Sequence, residues 1–528
     1  MTLDASNGLG KLERMDGTDM ANNIQGFAMI GAQSIVFSIT NLRTLKTIER
    51  GKYPVAIGDD FYAEHEILPE TVDTIVQAFD AINQIFNDYG VTTVNVYAST
   101  SWAEADNAEF VRDQLYTRTG WLIRTTSLSE EAFFRTQAIM VKFPQFAEIT
   151  QKGTVLIDIS SGSVELTTFC QGTFGFSRNL SLGPLRVYEI MSDVQRSVTN
   201  YVEVMRDYID SRLLDFMRLL PHGVEYTNMI LMGSSLSIFQ NLIPEGKRQV
   251  ETDRPGFDML YDEVTKASDQ YLADTYDLTS NQTSLVLPTV LLVYRLIETL
   301  NSQSIWISDL KAIDGLEVHA AHAGGFKKLG FDPDEEIVIS ANNLAKRYRV
   351  DDKHMQATRT FALQLFDRLK KLHGMGKRER LLLEVAATVS DIGGYIETHK
   401  HYAHSNYIIM ASEIMGLNEL EVTMVATITR FHSSITPQSD LKNFPTMSTE
   451  NRLVVAKLSA ILRVADSLDA SRQQKIQQMR VSLKSDKVVL SAKVNDDIEL
   501  ERWTLARKGK FFSEVFGVGL ELKGRNML

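Results

Sequence analysis

Apolar positions recur with two different periods along this chain, and the places where the period changes divide it into regions. Phe27–Thr40 reads as a strand, a turn at Gly31-Ala32-Gln33-Ser34 and a second strand. Thr71–Tyr89 carries Val72, Ile75, Val76, Phe79, Ile82, Ile85 and Phe86 at helical spacing and stops before Gly90. Thr92–Ala98 reads as a buried strand, Ala103–Thr117 as a helix and Ile123–Thr126 as a short strand. Ser129-Glu130-Glu131 then opens a helix from Ala132. A second series begins with Thr154–Leu166, where a β-branched run ends in Asp158 and a Ser/Gly turn leads to a return strand with Glu165. It continues through a strand Phe174–Leu182, a helix Ser197–Leu220 and a buried strand Asn228–Met232 capped by Gly233-Ser234-Ser235. Strands and helices in this order predict α/β layers. Two successive series, each opening on strand–turn–strand, predict a duplicated architecture with a ligand cleft at the carboxyl ends of the strands.

Past residue 320 the pattern becomes helical. Ala341–Leu372, Arg380–Val389, His404–Met415, Glu419–Phe431 and Val454–Leu468 all read as helices. Strand patterns return at Val481–Leu483, Lys487–Lys493, Ile498–Leu505 and, after a short helix, Gly517–Leu522. The expected organisation is a disordered tail over 1–25 and two α/β domains over 26–138 and 139–320. An all-α domain over 321–478 and a small α/β cap over 479–528 follow.

Composition adds limits. A chain of 528 residues with 44% hydrophobic and 23% charged residues has ample material for several cores. A net charge of −12 argues against general attraction to nucleic acid or to anionic membrane. The single cysteine, Cys170, excludes an internal disulfide and fits a reducing compartment, so a cytoplasmic location is expected. The longest apolar run, Ser284–Tyr294, is shorter than a bilayer span and contains Pro288.

The hairpin around Asp158 has the form of a phosphate cradle: a strand delivers a carboxylate to its tip, and small residues let backbone N–H groups approach an anion. Taken alone it is equally an ordinary buried hairpin. Taken with the other turns, it resembles a known family. Phe27–Ile39 is similar to the first phosphate loop of the exopolyphosphatase and guanosine pentaphosphate phosphohydrolase family. Ala98–Asn107 (ASTSWAEADN) and Thr119–Ala132 resemble its next two segments. Asp158–Leu166 resembles its D-I-G-G-G-S-x-E-L loop, Leu182–Arg186 its L-G-x-x-R, and Met232–Leu236 its last glycine loop. Leu462–Arg472 and Leu500–Phe516 are similar to its carboxyl-terminal signatures.

The resemblance implies two actin-like, sugar-kinase-like α/β domains followed by a helical domain related to HD phosphohydrolases. It implies release of terminal phosphate from inorganic polyphosphate or guanosine pentaphosphate by water attack, or, alternatively, a weakened polyphosphate- or alarmone-binding protein. Glu130 matches the catalytic glutamate; read without the family, it is a helix N-terminal acid favoured by the helix dipole. Asp158 and Glu165 match metal-associated carboxylates, with Mg²⁺ as the ion. Ser34, Gly162, Ser163, Gly233, Ser234 and Ser235 match phosphate-binding positions. Met29 stands where the family has an aspartate, Ala103 where it has an arginine, and Ser160 and Ser161 where it has glycines. A homodimer is also implied.

In the helical region His354, Asp391 and Asp466 stand at places suited to an HD metal site, but Ser390 occupies the position of the paired histidine. Residues 341–380 contain 11 Lys/Arg against 4 Asp/Glu, which predicts a local polyanion track, a solvated helix face or pairing with acidic neighbours. Lys346, Arg347, His399, Lys400, His401 and His404 are the residues assigned to such a track. The few aromatics sit at core-like spacing, favouring phosphate chains over nucleic acid.

Overall fold

The computed structural model describes residues 23–526 apart from 104, 196, 219, 221, 222, 241, 242, 245, 246, 277, 434 and 437–446. The chain forms two compact units, one spanning Asp19–Phe331 and one containing Asp332–Leu528. The expected tail lies outside the described residues up to position 22, and Ile24 and Gln25 already belong to the first strand.

The first unit holds two sheets. In its first lobe β1 (Ile24–Ile30), β2 (Ser34–Asn41), β3 (Lys46–Pro54), β4 (Val94–Ala98) and β5 (Ile123–Thr125) lie in the order β3-β2-β1-β4-β5. β1 is antiparallel to β2 and parallel to β4, and β4 is parallel to β5. Strand β3 was not expected. Its polar, half-exposed sequence KTIERGKYP gives no clear alternation, and pairing with β2 defines it. In the second lobe β6 (Thr154–Ile159), β7 (Val164–Cys170), β8 (Thr173–Leu180), β9 (Asn228–Met232), β10 (Gln249–Asp253) and β11 (Ser304–Ser308) follow the order β10-β11-β9-β6-β7-β8. β6, buried along its whole length, runs parallel to β9. Its apolar residues join Met229, Leu231, Ile305 and Ile307 in one core.

Helix Ser280–Leu300 is long and apolar enough to cross a membrane by length and composition. Its Val286, Val290, Leu291, Val293, Leu296 and Ile297 are nevertheless buried in the second-lobe core, and the helix continues through Pro288. Helix Ala312–Ala323 crosses back to the first lobe, where it packs on helix Leu128–Lys142 and on β1 and β2. Gly315 makes that contact possible. A Cβ there would stand 1.7 Å from the Phe134 carbonyl oxygen, so the two helices touch through backbone. The boundary expected at 320 therefore cuts a helix that serves the first lobe. Buried Asp314 and Glu317 on this helix are matched by Arg50 of β3, Lys142 and Arg248, with Arg50 2.7 Å and Arg248 2.8 Å from Asp314.

The second unit is a helical bundle carrying a small sheet, β12 (Ile476–Leu483), β13 (Lys487–Val494) and β14 (Gly519–Asn526). Two expectations are corrected here. Ala341–Leu372 is not one helix but Pro333–Arg347 and Asp352–Arg368, separated at Arg349 (φ 52°) and restarted by the Asp351 cap, whose side chain accepts from the Lys353 and His354 amides. Ile498–Leu505 is not a strand but the start of helix Glu499–Phe516. Ile498, Leu505 and Phe512 are buried at helical spacing, whereas Leu500 and Trp503 are exposed.

Candidate functional site

The hairpin expected at Asp158 forms as a two-stranded tip. Ser160 N–H donates to the Ser163 carbonyl at 2.9 Å and closes the turn. The turn is held from both sides by close backbone approach. A Cβ on Gly183 would lie 2.2 Å from the Ser161 oxygen, and one on Gly233 (φ 124°) would lie 2.2 Å from the Ile159 oxygen and 2.5 Å from Asp158. Ser235 N–H donates to the Ile159 carbonyl at 3.1 Å, so Gly162, Ser163, Gly233 and Ser235 come together around one strand end, with Ser234 exposed beside them. Asn179 donates to the Ser163 hydroxyl at 3.3 Å. Ser34 sits at the corresponding turn of the first lobe, where its carbonyl accepts from Gly31.

Asp158 and Glu165 are directly opposite each other across β6 and β7. Both are buried, and like charges in that register repel. The repulsion is answered by Arg135, which sequence reasoning missed. Its guanidinium pairs with Asp158, with Glu165 at 3.0 Å and with Glu131 at 3.0 Å. Burial acting alone would lower the Arg135 pKa, but the three carboxylates raise it, so the side chain stays charged. Burial pushes the Asp158 carboxyl up, opposed by Arg135. Ser177 donates to the other Glu165 oxygen at 2.8 Å. Glu131 in turn accepts from the Thr100 amide at 3.0 Å and the Thr126 hydroxyl at 3.0 Å, beyond the ends of β4 and β5. Arg135 thus bridges the strand ends of the two lobes. Its signal in the sequence was a lone cation one helical turn after Glu131 within an otherwise apolar run.

Glu130 faces away from this cluster. It completes a capping box with Ser127, and its second oxygen pairs with Arg124 at 2.5 Å. Arg124 is half-exposed, at the end of β5, and lies over the Tyr97 ring. Glu130 is thus a helix-capping acid, as its position before Ala132 suggested, and it also holds the Arg124 cation.

In the helical unit the residues assigned to the track differ in exposure and partners. Lys346 and Arg347 lie exposed in the last turn of their helix, and His399 and Lys400 are exposed in a loop. Of the surrounding basic residues, Arg378 is paired with Glu421 and Arg380 with Asp367, so part of the excess is neutralised by acidic neighbours. His401 turns inward. Its Nε2 lies 3.4 Å from Asp391 Oδ1 and 3.2 Å from Nε2 of His432. His354 lies on the other side of Asp391, with Nδ1 2.9 Å from Asp469 and Nε2 3.4 Å from Asp466. Burial would lower the His354 pKa, but hydrogen bonds to Asp466 and Asp469 raise it to about 9. Burial would raise Asp391, yet His401, His432 and Arg472 hold it well below the usual carboxylate range. His432 and Asp469 gave no signal in the sequence; each stands alone beside a helix end. His404 has no part in the group.

Comparison with known proteins agrees with this architecture. Residues 35–322 match the model of the Ppx/GppA phosphatase family, and residues 338–509 match that of Ppx/GppA phosphatase domain III. Among solved structures, an exopolyphosphatase from Cytophaga hutchinsonii is 14% identical, with 57% of this chain and 98% of that chain covered and a TM-score of 0.48. The Aquifex aeolicus Ppx/GppA family member is 12% identical, with 57% and 99% covered and a TM-score of 0.48. The family model spans more than half of the sequence, and the chain belongs to the Ppx/GppA phosphatase family.

Proposed function

We propose that the α/β unit releases terminal phosphate from a phosphoanhydride polyanion, either inorganic polyphosphate or a guanosine pentaphosphate. The observation that carries this reading is the glycine-supported turn at Ser160–Ser163, together with the pairing of Glu130 with Arg124 in the same unit. Phosphoryl transfer asks mainly for positioning and for stabilisation of charge on the equatorial oxygens. Arg124 is the half-exposed cation available to an incoming phosphate, and the turns at Ser160–Ser163 and Gly233–Ser235 supply N–H and hydroxyl donors. When Arg124 moves to the phosphate, Glu130 accepts a proton from the attacking water. A bond forms from the water oxygen to phosphorus, and the bridging P–O bond breaks, leaving the shortened chain as an anion.

Members of this family generally use divalent cations. The pair assigned to Mg²⁺ does not fit such an ion as held here. Asp158 and Glu165 already share the buried Arg135 cation, and Met29 offers no carboxylate. That arrangement favours a second reading, in which the unit binds polyphosphate or a guanosine tetraphosphate or pentaphosphate without cleaving it.

One assay separates the two: phosphate release from long-chain polyphosphate and from guanosine pentaphosphate, with and without divalent ion. The first reading expects release that falls about 10²–10⁴-fold in Glu130→Gln. Release unchanged in that variant would overturn the role of Glu130. Saturable binding by calorimetry with no release selects the second reading.

A further inference from the structure

From the convergence of side chains in the helical unit, we infer a mononuclear transition-metal site formed by Asp391, His401 and His432, independent of the α/β cleft. Three observations support it. First, the donor atoms form a nearly equilateral triangle: His401 Nε2 to His432 Nε2 is 3.2 Å, His401 Nε2 to Asp391 Oδ1 is 3.4 Å and His432 Nε2 to Asp391 Oδ1 is 3.5 Å. Ligands about 2.0–2.1 Å from a tetrahedral ion stand about 3.3 Å apart, so the triangle has the size of one face of such a polyhedron.

Second, the tautomers are set from outside. His432 Nδ1 lies 2.5 Å from the Thr429 carbonyl, and His401 Nδ1 lies 3.3 Å from the Thr398 carbonyl. A carbonyl only accepts, so each Nδ1 carries a proton, and in the neutral imidazole each Nε2 is left with a lone pair. Two lone pairs and a carboxylate oxygen aimed at one point repel unless a metal ion or a shared proton sits between them. His432 is only 1% exposed, so bulk water does not relieve the repulsion.

Third, nearby cations sit off this face. Arg472 takes Asp391 Oδ2 at 2.6 Å, and Lys508 takes Asp466. His354 approaches Asp391 from the Oδ2 side, its Nδ1 proton held by Asp469. Among the described residues, the Oδ1 face is therefore left to the two other imidazoles.

The donor set is two imidazole nitrogens and one carboxylate oxygen. It selects a first-row transition dication such as Zn²⁺, Mn²⁺ or Fe²⁺ over Mg²⁺, which prefers oxygen ligands. Three protein ligands leave coordination positions for water or a phosphate oxygen, and the half-exposed Arg472 beside Asp391 supplies a cation for the same anion. This set differs from the quartet sought in the sequence: two of its three members lie outside it, and Ser390 is not needed.

The test is metal content of the full chain, purified without chelator and after reconstitution with Zn²⁺ or Co²⁺, read by elemental analysis and by the visible absorption of bound Co²⁺. One ion per chain is expected. Affinity should fall by at least about 10-fold in His401→Ala and in His432→Ala but not in His404→Ala, a neighbouring histidine outside the triangle. His432 is buried, so circular dichroism accompanies each variant, and the partly exposed His401 provides the decisive one. Added Zn²⁺ should raise the Tm of the wild type and leave that of His401→Ala unmoved. Failure of the wild type to take up either ion, or equal uptake by His401→Ala, overturns the site and leaves the two imidazoles sharing a proton. Neither readout depends on phosphate release, so the result stands apart from the reading of the α/β cleft.

Discussion

Two regions of this chain gather buried carboxylates, and they answer the resulting charge differently. At the strand ends of the α/β unit, Asp158, Glu165 and Glu131 surround Arg135, a cation built into the fold. In the helical unit, Asp391 meets two imidazoles whose outer nitrogens face backbone carbonyls, so one face of the carboxylate has, among the described residues, ligand atoms but no arginine or lysine. An arginine fork satisfies carboxylates permanently and leaves little for an ion to gain. Histidine nitrogens facing one another leave a place for one.

A third carboxylate sharpens the contrast. Glu336, on helix Pro333–Arg347, is half-buried with one oxygen lacking a partner; burial, aided by Glu335, pushes its pKa up to about 7. Where neither arginine nor histidine pairs with it, the group binds its proton more tightly instead.

The comparison can be broken most decisively at Arg135. Arg135→Met leaves three buried carboxylates without their cation and should cost about 3–5 kcal/mol in denaturant unfolding of the full chain. A loss under about 1 kcal/mol would mean that the cluster is neutralised in another way. Next comes the turn that the carboxylates flank. Gly233→Ala places a Cβ against the Ile159 carbonyl at positive φ and should cost about 1–3 kcal/mol while weakening polyphosphate binding. Unchanged binding would remove Gly233 from the phosphate loop.

The smallest effect is expected at Glu336. Its carboxyl is raised in the folded state, so the native chain holds the proton more tightly than the unfolded one, and stability falls as pH rises from about 4.5 towards 7. Glu336→Gln should therefore stabilise the chain by about 1 kcal/mol at pH 8 and change nothing at pH 4, as measured by paired melts.

Much of the fold was legible because apolar spacing reports burial directly. Asn228–Met232 is a strand with the expected ends, and Glu419–Arg430 is a helix one residue shorter than expected. The failures have definite causes. β3 is an edge strand whose sequence carries no alternation, and Ile498–Leu505 holds enough β-branched and apolar residues to imitate a strand until Leu500 and Trp503 are seen to face solvent. Of the candidate site, the loops and the carboxylates at Asp158, Glu165, Asp391 and Glu130 could be read from the chain.

By itself the sequence determined the α/β lobes, the helical region and the Ser/Gly turn after Asp158, since periodicity and small-residue turns are local properties. Only the tertiary structure decided which cation each carboxylate meets. Arg135 reaches Glu165 across 30 positions, and His432 meets Asp391 from a separate helix end. Charge pairing depends on distances of a few ångströms between remote segments, and linear spacing carries no record of them.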